Sequence, residues 1–392
     1  MKFFLLSFFL FFIQVIGYTQ TIKIGVLRDV AVKKVSLSYL DGSYSIFADS
    51  IDFGAILQNE FIQVSFAPNR KVKLIIGVID KGMFSSVSLI ETKNNSAISL
   101  SASDPIVKEH RYMNDFNITS NDKCLTLVNS VSMNNYLCGV LESEGGLGKE
   151  LDYYKVQALM SRTYALKYKR KHIKDGFDLC DGVHCQAYHS MLRYTSTIKD
   201  AVKATEDNVI KDIQGNLVDS YFHANCGGQT SEADYIWNSS IPYLNSFIDT
   251  FCIYTKQATW EKKIPKTKWM DFMVKKYDFP IYDSIYAPLL FSFNQSERLA
   301  FYHSPILGIP LRDIRLEFKL KSTFFNVYLE NNEVVLRGRG YGHGVGLCQE
   351  GAMRMARYGY NFKQIANYYF PSVIIHNLKE DLFFGQKENL VY

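Results

Sequence analysis

Glu144 is the residue on which chemistry can most directly be built. It lies in Tyr136-Leu-Cys-Gly-Val-Leu-Glu-Ser-Glu144, a short apolar run that breaks at Gly145-Gly146 and restarts as a long helical pattern. Cleaving a glycosidic bond needs a proton donor to the leaving oxygen, and a carboxyl beside apolar neighbours such as Tyr136 or Leu141 has its pKa raised toward that role. If the run is extended, Glu142 shares a face with Glu144 and competes for the same task.

Other clusters suggest other chemistries. Cys180 and Cys185 lie in a polar segment with His172, His184 and His189. Thiolate and imidazole on one short loop suit a zinc ion, with His172 as third ligand and His184 as its substitute. A disulfide or two free thiols are the alternatives. His223 and Cys226 invite a thiol nucleophile, with Gly227-Gly228 as backbone donors. No oriented third partner is visible, however, and Cys226 could instead pair with Cys252. Glycine occupies every second place from Gly338 to Gly346. A dinucleotide loop would need G-x-G-x-x-G between a strand and a helix, followed by an acid, so that reading fails. If extended, the string leaves one face as bare backbone, open to another backbone or a flat ligand, while Arg339, Tyr341, His343 and Val345 project from the other.

The elements that must hold these residues read as follows. Residues 21 to about 130 are strands: Thr21 to Arg28, Val72 to Asp80, Ser86 to Glu91, Ala97 to Ser101 and Leu125 to Met133 carry β-branched residues between polar breaks. Glu144 then falls in a strand-to-helix loop. From Val156 the residues Leu159, Met160, Thr163, Tyr164 and Lys167 recur at helical spacing, in a helix reaching about His172, with Lys155 and Arg162 on one flank. A helix over 197–208, a strand pair about Gln214-Gly215-Asn216 and a strand from Val218 to His223 follow. A helix over 266–276, one opening at Gln349 and one holding Phe362, Ile365, Ala366 and Tyr369 complete the pattern.

Composition narrows the class. The first segment, MKFFLLSFFLFFIQVIG, has one Lys, an apolar stretch and then small or polar residues, and reads as a secretory signal peptide over 1–20. A membrane anchor is the alternative, though the run is short for a span. About 370 residues remain, enough for two core-forming units. Net charge is +5 with no long single-sign run, so nucleic acid is not the natural partner, and the mild Lys excess suits a weakly anionic wall or membrane surface. Seven cysteines in an exported chain leave at least one thiol free or metal-bound.

Taken together the motifs resemble the stage II sporulation protein D and amidase-enhancer family (SpoIID/LytB). They are the Tyr136 to Glu144 run, Lys155-Val-Gln-Ala-Leu-Met-Ser-Arg-Thr-Tyr-Ala165, Cys185-Gln-Ala-Tyr188, His223-Ala-Asn-Cys-Gly-Gly-Gln-Thr230, Pro242-Tyr-Leu244 and Gly340-Tyr-Gly-His-Gly-Val-Gly-Leu-Cys-Gln-Glu-Gly-Ala352. With the strand pattern, which lies largely outside the resemblance, this gives an α+β fold: a β-rich N-terminal region, 21–100, then the mixed α/β SpoIID-like domain with a groove that the resemblance implies, 101–374, and a tail, 375–392. The resemblance implies an exported lytic transglycosylase of the periplasm or cell envelope. Such an enzyme cuts peptidoglycan between N-acetylmuramic acid and N-acetylglucosamine, in strands lacking stem peptides. Glu144 aligns with the catalytic acid, and Arg162, His223, Tyr341, His343 and Gln349 would bind substrate. One carboxyl used twice then suffices, because the sugar's own 6-hydroxyl is the nucleophile. A structural zinc on His172, Cys180 and Cys185 is implied, and the family's other name implies a non-catalytic wall-binding partner of a cell-wall amidase as the alternative. The chain departs from the family where Gly145-Gly146 replaces Met-Pro, Ser161 replaces Ala and Glu350 replaces Tyr.

Overall fold

The computed structural model describes residues 20–57 and 60–384. The expected leader lies outside these residues except for Gln20, as does the end of the expected tail. Among the described residues no helix is long and apolar enough to cross a membrane.

Strict alternation of apolar and polar residues builds the N-terminal region as two sheets. One has seven strands: in spatial order Leu179–Cys180, Thr21–Val26, Leu125–Ser132, Asp115–Ser120, Val87–Glu91, Tyr44–Ala48 and Ile51–Ala55. We label Thr21–Val26 β1, Leu125–Ser132 β2 and Leu179–Cys180 β3. The other sheet has six strands: Ile106–Met113, Ala97–Asp104, Lys34–Asp41, Phe61–Ala67, Lys71–Ile76 and Ile79–Phe84. Ile22, Ile24, Ile46, Leu89, Phe116 and Ile118 of the first are buried in one core with Val35, Leu37, Ile62, Val64, Val72 and Leu74 of the second. The β region therefore does not stop at residue 100; period-two burial continues through β2, and the first sheet gains its last strand only at Leu179–Cys180. The run from Val72 to Asp80, expected as one strand, is a hairpin turning at Gly77, which has a positive φ, and exposed Val78.

The helices of the second half begin without a break. Helix α1, Met133–Gly145, is capped at Ser132, whose side chain accepts the Asn135 N–H. Met133, Tyr136, Leu137, Val140 and Leu141 are buried at helical spacing. Glu144 thus stands in the last turn of a helix and not in a strand-to-helix loop; the Ser cap and the three-and-four spacing override the β-branched look of the run. Helix α2, Leu151–Lys167, packs against α1, α3 (Thr197–Ala204) and the C-terminal helices, and almost all of it is buried. It ends short of His172. The expected hairpin at 214–216 reduces to a turn, because Asn208–Lys211 pairs instead with Ile374–Asn377, which draws the start of the expected tail into the core.

Strand β4, Phe222–His223, is shorter than expected and pairs in parallel with β8, Leu347–Cys348. Between them the chain makes an insert with its own core: β5 (Thr259–Pro265), α4 (Lys266–Tyr277), α5 (Leu311–Glu317), β6 (Phe325–Glu330) and β7 (Glu333–Arg339), packed about Trp269, Phe272, Tyr302, Ile314 and Leu336. The insert closes where the Gly340 N–H donates to the Ala258 carbonyl. Helices α6, Gln349–Arg357, and α7, Phe362–Tyr369, follow, the latter with a reciprocal Asn361/Gln364 cap.

Candidate active site

Glu144 is half-buried, and its Oε1 accepts the Ala187 N–H at 2.7 Å. Burial raises its carboxyl above the ordinary range, partly offset by the Ala187 amide and by His189. The expected competitor does not compete. Helical pitch turns Glu142 away, and its oxygens accept the N–H groups of Arg193, Tyr194 and Thr195 at 2.8 to 3.1 Å. The glycines after Glu144 are also less loose than their composition suggests. Gly146 caps α1 with φ of 70°, while the Tyr154 hydroxyl donates to its carbonyl at 2.7 Å and accepts the Lys149 N–H.

Contacts lead from Glu144 around a closed circuit. Gln349, at the start of α6, donates to the Glu144 carbonyl at 3.2 Å. Its neighbour Cys348 is paired with His223 across the short β4–β8 sheet. His223 stacks edgewise on His343 at 5.5 Å, His343 lies 5.3 Å from Trp237, and Trp237 stacks on Tyr221 at 4.5 Å. The Tyr221 hydroxyl meets that of Tyr168 at 3.1 Å, Tyr168 packs on Tyr164, and the Tyr164 hydroxyl donates to the His184 carbonyl. Three residues further on, Ala187 returns to Glu144. Across this circuit runs a stripe of α2, Tyr153, Gln157, Ser161 and Tyr164, continued by Tyr168 at its C-terminal cap and spaced by three or four residues. The Tyr153 hydroxyl, both Gln157 amide atoms, the Ser161 hydroxyl, the Gln186 amide nitrogen and His223 Nε2 are buried without a partner among the described residues. A protein interior rarely leaves so many hydrogen-bonding groups idle unless water or a ligand meets them. Two clefts of about 480 and 570 Å³ lie elsewhere, and neither includes Glu144.

The structure distributes the expected substrate-binding residues unevenly. Arg162 is removed from the groove: its buried guanidinium donates to the carbonyls of Val202, Thr205 and Asn208 and closes the C-terminal end of α3. Lys155 pairs with Asp152, so the polar side of α2 is the 153/157/161 stripe and not the 155/162 flank. His343 Nδ1 accepts the Val345 N–H, and burial with nearby Arg315 lowers its pKa to about 4, so the ring is neutral. His223 donates from Nδ1 to the Val345 carbonyl, and burial holds it well below the ordinary histidine range. Tyr341 is 45% exposed beside Lys321 and pairs through its backbone with Asn225. Trp237, Tyr221, Gln157 and Arg315 were not picked out as binding residues. A polar residue on the buried face of α2 was the available signal for Gln157; Arg315 comes from the insert and had none.

Beyond Gly338, which lies in β7, the glycine string is not extended. Gly340, Gly342, Gly344 and Gly346 all have positive φ. A Cβ on Gly340 would stand 2.6 Å from the Asn225 carbonyl, and one on Gly346 would stand 2.3 Å from that of Tyr221. The expected close approach of another backbone is met, in a left-handed rather than a strand conformation.

The Cys180 loop gathers four donors. His172 Nε2 lies 3.3 Å from His184 Nδ1, which is 3.7 Å from Cys180 Sγ and 3.8 Å from Cys185 Sγ. Tetrahedral zinc with ordinary bond lengths sets N···N and S···N edges of about 3.3 and 3.6 Å. His172 Nδ1 meets Asp175 Oδ2 at 3.0 Å, the carboxylate support usual for a ligating imidazole. The donors therefore fit zinc, with His184 joining His172 rather than substituting for it. The thiol-nucleophile reading of Cys226 fails on access: its sulfur is wholly buried against Cys252 and Asp249.

Residues 121–211, from β2 through the Cys180 loop to the strand after α3, match the family model described as Stage II sporulation protein, SpoIID. Over this segment the chain is similar to the SpoIID family. It is 26% identical over 270 residues to the Stage II sporulation protein D of Bacillus subtilis, covering 63% of this chain and 75% of that one. It is 27% identical over 266 residues to an uncharacterized protein of Brachyspira hyodysenteriae, covering 64% and 68%. The Amidase enhancer of Bacillus subtilis is 24% identical over 290 residues, covering 61% of this chain but only 40% of that protein. Glu144, Arg162, the Cys180 loop and α3 all lie inside the matched segment, whereas His223, His343 and Gln349 lie beyond it.

Proposed function

We propose that this protein is an exported peptidoglycan lytic transglycosylase that cleaves glycan strands lacking stem peptides and leaves 1,6-anhydro-N-acetylmuramic acid ends. The reading is carried by Glu144: one half-buried carboxyl of raised pKa, oriented by the Ala187 amide, with the neighbouring Glu142 fully occupied by backbone. Hydrolysis by a pair of carboxylates would need a second free acid to activate water or attack the sugar. A transglycosylase does not. Protonated Glu144 gives its proton to the glycosidic oxygen as the bond to muramic acid C1 breaks. The resulting carboxylate takes the proton of the same sugar's 6-hydroxyl as O6 bonds to C1, which regenerates the acid. Exposed Trp237, stacked on Tyr221, offers a face for a sugar ring.

Zinc on His172, Cys180, His184 and Cys185 would have four protein ligands and no open position, hence a structural role. It would brace the loop whose Ala187 amide orients Glu144.

Purified protein incubated with peptide-free glycan strands tests the reading. Anhydro-ended fragments are expected by mass spectrometry, falling about 10²-fold or more in Glu144→Gln. Strand binding by the wild type without any cleavage would instead identify a wall-binding module, in keeping with the name of the Amidase enhancer relative.

A further inference from the structure

Beside the circuit around Glu144, and sharing Cys348 with it, three more cysteines and an aspartate meet. We propose that Cys226, Cys252, Cys348 and Asp249 form a second structural zinc site, separate from the Cys180 loop. Their ligand atoms lie within 4.8 Å of one another, and all four residues are fully buried. They come from three segments: the turn after β4, the 249–252 loop and the end of β8.

The chemistry selects the ion. Three thiols and one carboxylate suit a borderline-soft, tetrahedral cation and not calcium or magnesium, which take oxygen. Cys226 Sγ stands 3.3 Å from Asp249 Oδ2, against about 3.5 Å for a tetrahedral S···O edge. The Cys226 and Cys252 sulfurs are 3.2 Å apart, some half an ångström inside the S···S edge of about 3.8 Å and far beyond the bond of about 2.05 Å in a disulfide. A disulfide would in any case use two thiols and leave the third buried beside an aspartate.

The surroundings are arranged for anions. The Cys226 N–H points at Cys348 Sγ at 3.3 Å, and the Gly228 amide lies by the Cys252 sulfur, while the Gly227 N–H donates to Asn225 Oδ1 at 2.7 Å. Gly227 has φ of 71°, and a Cβ there would strike the Arg339 backbone at 2.6 Å, so glycine is what lets the turn present its amides. Asp249 is oriented on one oxygen by the Phe251 N–H and on the other by the Tyr369 hydroxyl, both at 2.9 Å. A Cβ on Gly351 would come within 2.8 Å of Asp249 Oδ2 and 3.4 Å of Cys348 Sγ, so that glycine leaves the cluster its room. Nearby Arg298 spends its guanidinium on the Cys226 and Gln229 carbonyls. A buried carboxylate among sulfurs is costly without a cation. Zinc supplies it, and the thiol protons leave to solvent on binding. The ion would tie together the segments that carry His223 and Gln349.

The test uses the full chain with the first cluster removed, Cys180→Ser/Cys185→Ser. One zinc per chain is expected to remain, and cobalt in its place is expected to show thiolate charge-transfer absorption and tetrahedral d–d bands; adding Cys348→Ser is expected to abolish both. Metal-free protein at the first step overturns the proposal. So does a count of three rather than five reactive thiols in that variant, denatured without reductant, since seven cysteines less two leaves five. Should the variant not fold, wild-type protein is loaded with cobalt. Two ions per chain are expected, and one ion, or a Cys226–Cys252 cross-linked peptide in a non-reduced digest, overturns the site. None of these readouts uses glycan cleavage, so they stand or fall apart from the transglycosylase reading.

Discussion

Glu144 is pulled two ways: burial favours its protonated form, while the Ala187 amide and His189 favour the carboxylate. Because the raised pKa belongs to a group that must start protonated, cleavage is expected to hold at low pH and to decline as pH rises through that pKa. His343, lowered to about 4, stays neutral across the range and adds no inflection above pH 5. Removing His189 takes away a stabiliser of the carboxylate, so the alkaline limb of a kcat profile should move to higher pH in His189→Ala. A limb that stays put or moves down would remove His189 from the site. At this scale the sequence singled out Glu144 as the candidate acid and misread its neighbours. Glu144 announces itself by its glycine break, and the zinc donors by residue type. Arg162 looks like a substrate ligand in one dimension, but its carbonyl partners on α3 lie about forty residues away, beyond the reach of local pattern.

At the scale of elements, α1 positions the acid by packing closely on the loop that holds it. A Cβ on Gly139 would stand 2.4 Å from the Ser190 carbonyl and 2.5 Å from the Tyr188 ring. Gly139→Ala should therefore cost about 1–3 kcal/mol by denaturant titration, as overpacking does, and lower kcat by displacing Ala187 from Glu144. Unchanged stability and rate would mean that the contact is not tight in solution. The period of the N-terminal strands was legible because each buries one face. The helical character of α1 was masked by a short apolar run whose deciding signal, the Ser132 cap, lies just before it. The glycine string shows a different limit. Its alternation correctly implied a close backbone neighbour, but alternation cannot distinguish a strand from a chain of left-handed turns.

For the molecule as a whole, two cores share one chain. The larger unites both sheets with α1, α2, α3, α6 and α7, and the smaller belongs to the insert. Replacing residues 259–339 by a short Gly-Ser link should leave the main core cooperatively folded, with β-sheet and helix signals retained by circular dichroism. Cleavage should still drop, because Arg315 beside His343 and Arg298 beneath the 226–229 turn are lost. Loss of all cooperative unfolding would show that the cores are interdependent. Sequence alone left the 260–327 stretch unresolved, since its elements are short and its partner strand, β7, arrives only after a long excursion.

The single hydrogen bond from Gly340 to Ala258 marks where that excursion begins and ends. With its two ends already touching, the insert is a cassette: lengthening, shortening or exchanging it costs the parent scaffold little closure entropy. Glu144, the Ala187 amide and α2 belong to the scaffold, whereas Arg315, near His343, belongs to the cassette. On the proposed reading, exchanging the cassette would therefore change one neighbour of His343 without touching the group that moves the proton.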